Sequence, residues 1–162
     1  MRIYITILLL LALLNAWIIF ATLDSGLLAD STYVAFSLVC HQKPERSFHL
    51  AGSQMPVCQR CFAIYMGAFL GGLFYSFSNK IPLSYLFLAL LPMAIDGVGQ
   101  LFGVWQSNYL SRVFTGALAG GAGMLFIMPA LMEIVESLVK FIKRKIQNFL
   151  ILLLNFKRGK NE

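Results

Sequence analysis

Polar and apolar residues in this chain are sorted into blocks, not interleaved at the short periods of a soluble fold. Four predominantly apolar blocks, at about 3–23, 58–77, 81–103 and 112–132, flank one long polar stretch at 24–57. About 20 helical residues at ~1.5 Å each cross the ~30 Å of a bilayer's hydrocarbon. The pattern therefore predicts an all-α fold, a polytopic membrane protein built as a four-transmembrane-helix bundle with an ordered extracytoplasmic loop. The second block spans fully only if Pro56 to Cys61 forms its first helical turn, a position that suits proline because its missing N–H has no helical partner there.

The first block reads as an uncleaved anchor. Arg2 gives it the positive start of a signal peptide, but its apolar run from Ile3 to Phe20 exceeds the ~7–15 residues of a signal core, and Phe20-Ala21-Thr22-Leu23 offers no small-x-small cleavage pair. Within the loop, Asp30 or Ser31 can cap a short surface helix ending near Val39, with Tyr33, Phe36 and Cys40 on one face. Pro44 interrupts any helix, and Gly52, Ser53 and Pro56 make the return turn.

Past the last block, residues 138–162 mix apolar positions with Lys140, Lys143, Arg144 and Lys145. The purest apolar run there, Phe149 to Leu154, is too short to cross a bilayer. This tail predicts a basic amphipathic helix lying on anionic lipids, separate from a membrane domain at 1–137.

Composition agrees with the block pattern. The chain is 59% hydrophobic and 12% charged, with mean hydropathy +0.75, too little polar surface to coat a soluble globule of 162 residues. The net charge of +6 comes with no nucleic-acid recognition motif, so the expected partner is the lipid bilayer and no nucleic acid. On a four-span arrangement one side carries Arg2, Lys80, Lys140, Lys143, Arg144, Lys145, Lys157, Arg158 and Lys160, and the other Lys43, Arg46, Arg60 and Arg112. The positive-inside rule then puts both termini in the cytoplasm of a cell membrane and the long loop outside.

That loop holds the candidate chemistry. Cys40 and His41 are followed by Cys58-Gln59-Arg60-Cys61, which gathers all three cysteines and, with His49, both histidines of the chain. Cys58 and Cys61, three apart in a first helical turn, point to one side, and the helix N-terminus and Arg60 favour thiolate. Three thiolates and one imidazole make a Cys₃His set that zinc accepts tetrahedrally, with His41 as fourth ligand and His49 as its competitor.

Counting along the third block places Asp96 and Gln100 at its outer end, beside Ser107, Asn108, Ser111 and Arg112 at the start of the fourth. A carboxylate in a spanning helix costs at least ~2.5 kcal/mol and normally faces a partner or a wet cavity. One reading makes Asp96–Arg112 a buried pair that pins two helices, with Arg46 or Arg60 as competing partners. The other makes Asp96, Arg46, Arg112 and Gln100 a polar catalytic cluster. Gly67 and Gly71, and Gly116 and Gly120, spaced four apart, predict close helix packing.

Taken in order, Cys40-His41-Gln42 with Arg46-Ser47, Cys58-x-Arg60-Cys61 with Tyr65-x-Gly67, Asp96-Gly97-x-x-Gln100-x-x-Gly103, and Ser107-Asn108-x-x-x-Arg112-x-x-Thr115-Gly116 resemble the prokaryotic membrane-protein family called domain of unknown function 2085. The resemblance covers roughly Cys40 to Gly121. Phe62 and Ala63 depart from its pattern, where a small polar residue and Gly are expected. The resemblance groups these residues and supplies no activity.

Three functional classes follow. In the first, an extracytoplasmic metal site, zinc by its donor set, either staples the loop or activates water near Asp96 and Arg46 for hydrolysis of a lipid-linked or small exported substrate. In the second, Cys58 and Cys61 exchange disulfides and pass electrons to a membrane quinone, a layout similar to that of bacterial quinone-linked disulfide-forming proteins. The third is a structural or transport role. The chain has no phosphate-cradling Gly-rich loop, H-E-x-x-H, G-x-S-x-G or C-x-x-C-H motif, which excludes the common enzymes that use them.

Overall fold

A computed structural model describes residues 2–24, 26–75 and 82–158. Lys80, Lys160 and the ends of two expected spans, Ser76-Phe77 and Ile81, lie outside the described residues. The chain divides into two compact units, Met1–Met128 and Pro129–Glu162.

The first unit is mostly helical. In order it contains α1 (Arg2–Leu23), α2 (Leu27–Ser37), a single 3₁₀ turn (Pro44–Arg46), β1 (Ser47–Leu50), β2 (Ser53–Cys58), α3 (Gln59–Tyr75), α4 (Leu83–Leu101) and the first part of α5 (Tyr109–Arg158). By length and composition three helices can cross a membrane, Ile3–Leu23, Leu83–Leu101 and Tyr109–Phe149. Their apolar side chains, such as Leu10, Leu13, Phe87, Leu88 and Phe114, are exposed by half or more, as a lipid-facing surface requires. The described part of α3 is 17 residues long.

The loop departs from the sequence reading at two points. Its helix begins at Leu27 behind Gly26, with Asp30 in the first turn, so neither Asp30 nor Ser31 caps it. The segment after Pro44 is not an irregular return but an antiparallel hairpin, β1–β2, with Ser47 opposite Cys58 and Leu50 opposite Ser53. Ala51 and Gly52 both take positive φ, 50° and 84°, the backbone of a tight two-residue hairpin turn.

Register slips between Ser47 and His49, so Met55, Pro56 and Val57 face Phe48 alone. Pro56 thus falls in a bulge that asks no ladder hydrogen bond of it. It ends up in β2 and not in a helical turn, and α3 starts at Gln59.

The hairpin exists because it covers a core. Ile18 of α1, Cys40, Met55 and Val57 are buried together, with Leu14, Phe36, Phe48, Phe62 and Tyr65 packed around them. Polar clasps fix the layers: Trp17 Nε1 donates to Thr32 Oγ1 at 3.1 Å, joining α1 to α2, and Asn15 Nδ2 donates to the Tyr65 carbonyl at 3.3 Å, joining α1 to α3.

Glycines bring α3 and α5 into backbone contact. A methyl group at Gly67 or Gly120 would overlap the Ala117 or Ile64 carbonyl, and at Gly116 it would lie 2.7 Å from the Arg60 carbonyl oxygen. The glycine pairs therefore interlock, as their four-residue spacing predicts.

The second unit is helical through Arg158. Within it Glu136 approaches Lys140 at 4.0 Å, one turn apart, and Lys145 Nζ stands 5.8 Å from the Phe141 ring centroid.

Candidate functional site

The last residue of β2 and the first turn of α3 bring Cys58 and Cys61 against the segment just after α2, where Cys40 is 5% exposed. The three sulfurs all lie within 4.8 Å of one another and are free thiols. Zinc–sulfur bonds of about 2.3 Å put tetrahedral sulfurs roughly 3.8 Å apart, so small χ1 adjustments would bring this set onto one ion. The Cys58 amide donates to Cys40 Sγ at 3.1 Å, which orients that sulfur and stabilises negative charge on it. A hydrogen bond from the Cys61 thiol, with smaller help from Cys40 and nearby backbone amides, pulls the Cys58 thiol down to about 5.

The backbone that presents Cys40 and His41 is held by Gln42. Its φ is 48°, in the left-handed region, and its Nε2 donates to the carbonyls of Tyr33 and Pro56, both at 2.7 Å. Gln54 Nε2 returns a bond to the Gln42 carbonyl at 2.6 Å. These bonds tie α2, the cysteine segment and β2 together and compensate an unfavourable backbone conformation. The positions of Gln42 and Gln54 beside the thiols were not legible as functional, because their partners are carbonyls supplied by the hairpin.

Neither imidazole joins the cluster of three sulfurs among the described residues. His41 lines the cavity beside it, whereas His49 sits at an exposed position of β1 opposite Gln54.

The polar cluster assembles next to the thiols, with a different pairing from the Asp96–Arg112 clamp. Asp96 forms its salt bridge with Arg60 of α3, and its other oxygen accepts from Ser107 Oγ at 2.6 Å. Gln100 Oε1 accepts from Arg46 Nη1 at 3.1 Å. Arg112 is 9% exposed, and its Nε has no partner among the described residues; Gln100 Nε2 is in the same position. Arg60 wins Asp96 because α3 starts at Gln59, which puts Arg60 in its first turn facing α4. Arg112 is left to face the cavity.

A cavity of about 540 Å³ joins the two groups. Cys40, Cys58 and Cys61 line one part and Lys43, Arg46, Arg60, Gln100 and Arg112 another, with Ile64, Met93 and Leu101 supplying apolar wall. Met93, Gly97, Gln100 and Leu101 recur at helical spacing, so a single face of α4 closes this side. Lys43 had no distinguishing signal beyond its place next to Cys40-His41-Gln42.

Residues 40–128, which contain every side chain of this cavity except Val39, match the family described as predicted membrane protein, domain of unknown function 2085. The chain belongs to that family. Two archaeal proteins are similar to it: an uncharacterized protein of Methanocaldococcus jannaschii is 43% identical over 109 residues, 64% of this chain and 70% of that protein. An uncharacterized protein of Methanothermobacter thermautotrophicus is 39% identical over 107 residues, 62% of this chain and 93% of that protein. No solved structure matches. The domain of unknown function 2085 thus coincides with the thiol cluster, the polar cluster and the glycine interlock, and leaves α1 outside its matched region.

Proposed function

We propose that this member of the family is a membrane metal-site protein in which Cys40, Cys58 and Cys61 hold one divalent ion, zinc by the softness of the donors, at the mouth of the helix bundle. The observation that carries this reading is the convergence of three sulfurs from two separate segments of chain within 4.8 Å. His41, on the wall of the same cavity, is the fourth ligand, and His49 is its competitor. With His41 bound, the four-coordinate ion would staple the loop; with that position left to water, it would supply an electrophile that acidifies the water, and the adjoining cavity, with Arg46, Gln100, Arg112 and the Arg60–Asp96 pair, would receive a lipid-linked or small exported substrate.

In this reading α3 is a fourth membrane span, both termini are cytoplasmic and the cysteine loop faces outward. The exposed basic residues Lys140, Lys143, Arg144 and Lys145 lie on anionic lipid.

One observation favours a second reading, thiol–disulfide exchange with a quinone: the Cys61-to-Cys58 hydrogen bond resembles the arrangement that activates a redox dithiol. Elemental analysis of the purified protein with a parallel free-thiol count separates the two. About one zinc per chain, lost in Cys40→Ser, Cys58→Ser and Cys61→Ser, supports the metal centre. A metal-free protein with a reversible Cys58–Cys61 disulfide replaces it with the redox reading.

A further inference from the structure

The cations of the cavity outnumber its anions. Lys43, Arg46, Arg60 and Arg112 line it, and the only carboxylate bonded to any of them among the described residues is Asp96. Three thiolates around a divalent ion leave one net negative charge. Four cations against that charge and Asp96 leave two positive charges in a partly desolvated site. Such a surplus is unfavourable for an empty fold and is offset by an anion of matching charge.

Arg112 makes the surplus specific. It is 9% exposed, faces the cavity, and keeps an unpartnered Nε; Gln100 Nε2, on the opposing helix, is likewise unpartnered. Arg60 Nε is a third such donor on the same cavity, and because buried donors are nearly always satisfied, this clustering of orphans on residues that line one cavity points to an acceptor there. Arg46, Gln100 and Arg112 also line a second cavity of about 370 Å³, where the one carboxylate is that of the exposed Glu45. Guanidinium groups present planar forks of donors that suit an oxyanion with several acceptor oxygens.

We infer that Arg46, Gln100 and Arg112 bind a phosphate group, with Lys43 completing its charge and the apolar wall of Ile64, Met93 and Leu101 accommodating whatever the phosphate is attached to. A carboxylate carries one charge and is satisfied by one arginine, whereas a phosphate monoester carries about two and has three acceptor oxygens. The inference deepens the proposed substrate of the same cavity and takes its charge balance from that reading, whereas the orphan donors stand independently of the metal centre.

Gly97 provides a clean test. It lies on the cavity wall, and a Cβ there would meet nothing within 4 Å, so Gly97→Leu is the substitution that adds bulk to the cavity from a position with room for its first carbon, and the melting record shows whether the fold is kept. The full-length protein in neutral detergent is titrated with inorganic phosphate, acetate and dihexanoyl phosphatidic acid at matched ionic strength, with helicity and melting recorded for every variant. Phosphate should bind saturably and acetate at least about tenfold more weakly. Arg46→Gln and Arg112→Gln should each weaken phosphate by about tenfold or more, the loss expected for a charge-assisted hydrogen bond.

Gly97→Leu should remove binding from a folded protein. Phosphatidic acid binding more tightly than inorganic phosphate identifies a lipid headgroup as the source; equal binding identifies free phosphate. Absence of saturable binding, acetate as tight as phosphate, or indifference to both Gly97→Leu and Arg46→Gln overturns the inference. A protein that holds zinc but no phosphate removes this inference alone, and one that binds phosphate but no zinc removes only the metal centre.

Discussion

Arg60 in the first turn of α3 closes a salt bridge with Asp96 near the end of α4, two residues that are 36 apart in sequence and 21% and 11% exposed at their side chains. The bridge binds the helix that starts with the thiols to the helix that walls the cavity. It also leaves Arg112 without that carboxylate, although both are buried.

Breaking this bridge should be expensive from one side and cheap from both. Asp96→Ala strands Arg60 and is expected to destabilise the protein by about 3–5 kcal/mol, and Asp96→Leu with Arg60→Leu should recover most of the loss. Pairing Asp96→Leu with Arg112→Leu should recover little. Thermal unfolding in detergent measures the cycle, and rescue by Arg112→Leu equal to that by Arg60→Leu would restore the Asp96–Arg112 clamp.

Cys58 gives the site a pH signature. Its thiol sits near 5 against an ordinary value of 9.0, chiefly through the hydrogen bond from Cys61. Iodoacetamide should modify Cys58 of metal-free protein at a nearly constant rate from neutral pH to about 6 and at half that rate near 5. Cys61→Ala should move the midpoint up towards the ordinary thiol range. Between about 5 and 9 the unfolded chain holds a proton that the folded chain has released, so stability from this thiolate is fully present above 9 and is lost as pH falls through about 5. A Cys58 midpoint near 8.5 in the intact cluster would contradict the hydrogen-bond assignment.

Two glycine substitutions should have opposite outcomes. Gly116→Ala pushes a methyl towards the Arg60 carbonyl and is expected to cost about 1–3 kcal/mol, because the interlocked backbones must part. Gly97→Ala enters open space within α4 and should stabilise by about 0.5–1 kcal/mol through helix propensity. Equal melting temperatures for the two variants would show that the α3–α5 contact is looser than this packing requires.

The proposed outward-facing loop rests on the basic asymmetry. A membrane-impermeant maleimide added to intact cells after mild reduction and chelation should label Cys40, Cys58 or Cys61. Labelling only after lysis would place the loop in the cytoplasm.

Much of the site was legible because its signals are chemical. Thiols, imidazoles, an intramembrane carboxylate and spaced glycines stand out against apolar runs, and Cys40, Cys58 and Cys61 do converge. The hairpin was hidden because Pro56 argues against a strand and because the β1–β2 register needs a bulge to admit it. Asp96's partner was equally hidden. Arg46, Arg60 and Arg112 are indistinguishable by type, and choosing among them requires knowing that α3 begins one residue after Cys58. Helix starts shift by a residue or two under forces outside the local sequence, here the end of the hairpin.

The interlocked glycines of α3 and α5 make the site a vice with one fixed jaw. Cys61, Arg60 and Arg112 ride on two backbones already in contact, so their spacing is set once the chain has folded. Cys40, His41 and Arg46 ride on the loop, which is fastened by the side-chain clasp of Gln42 and Gln54. The width of the cavity is therefore set by where the loop rests against that fixed jaw, and the clasp is what holds it there.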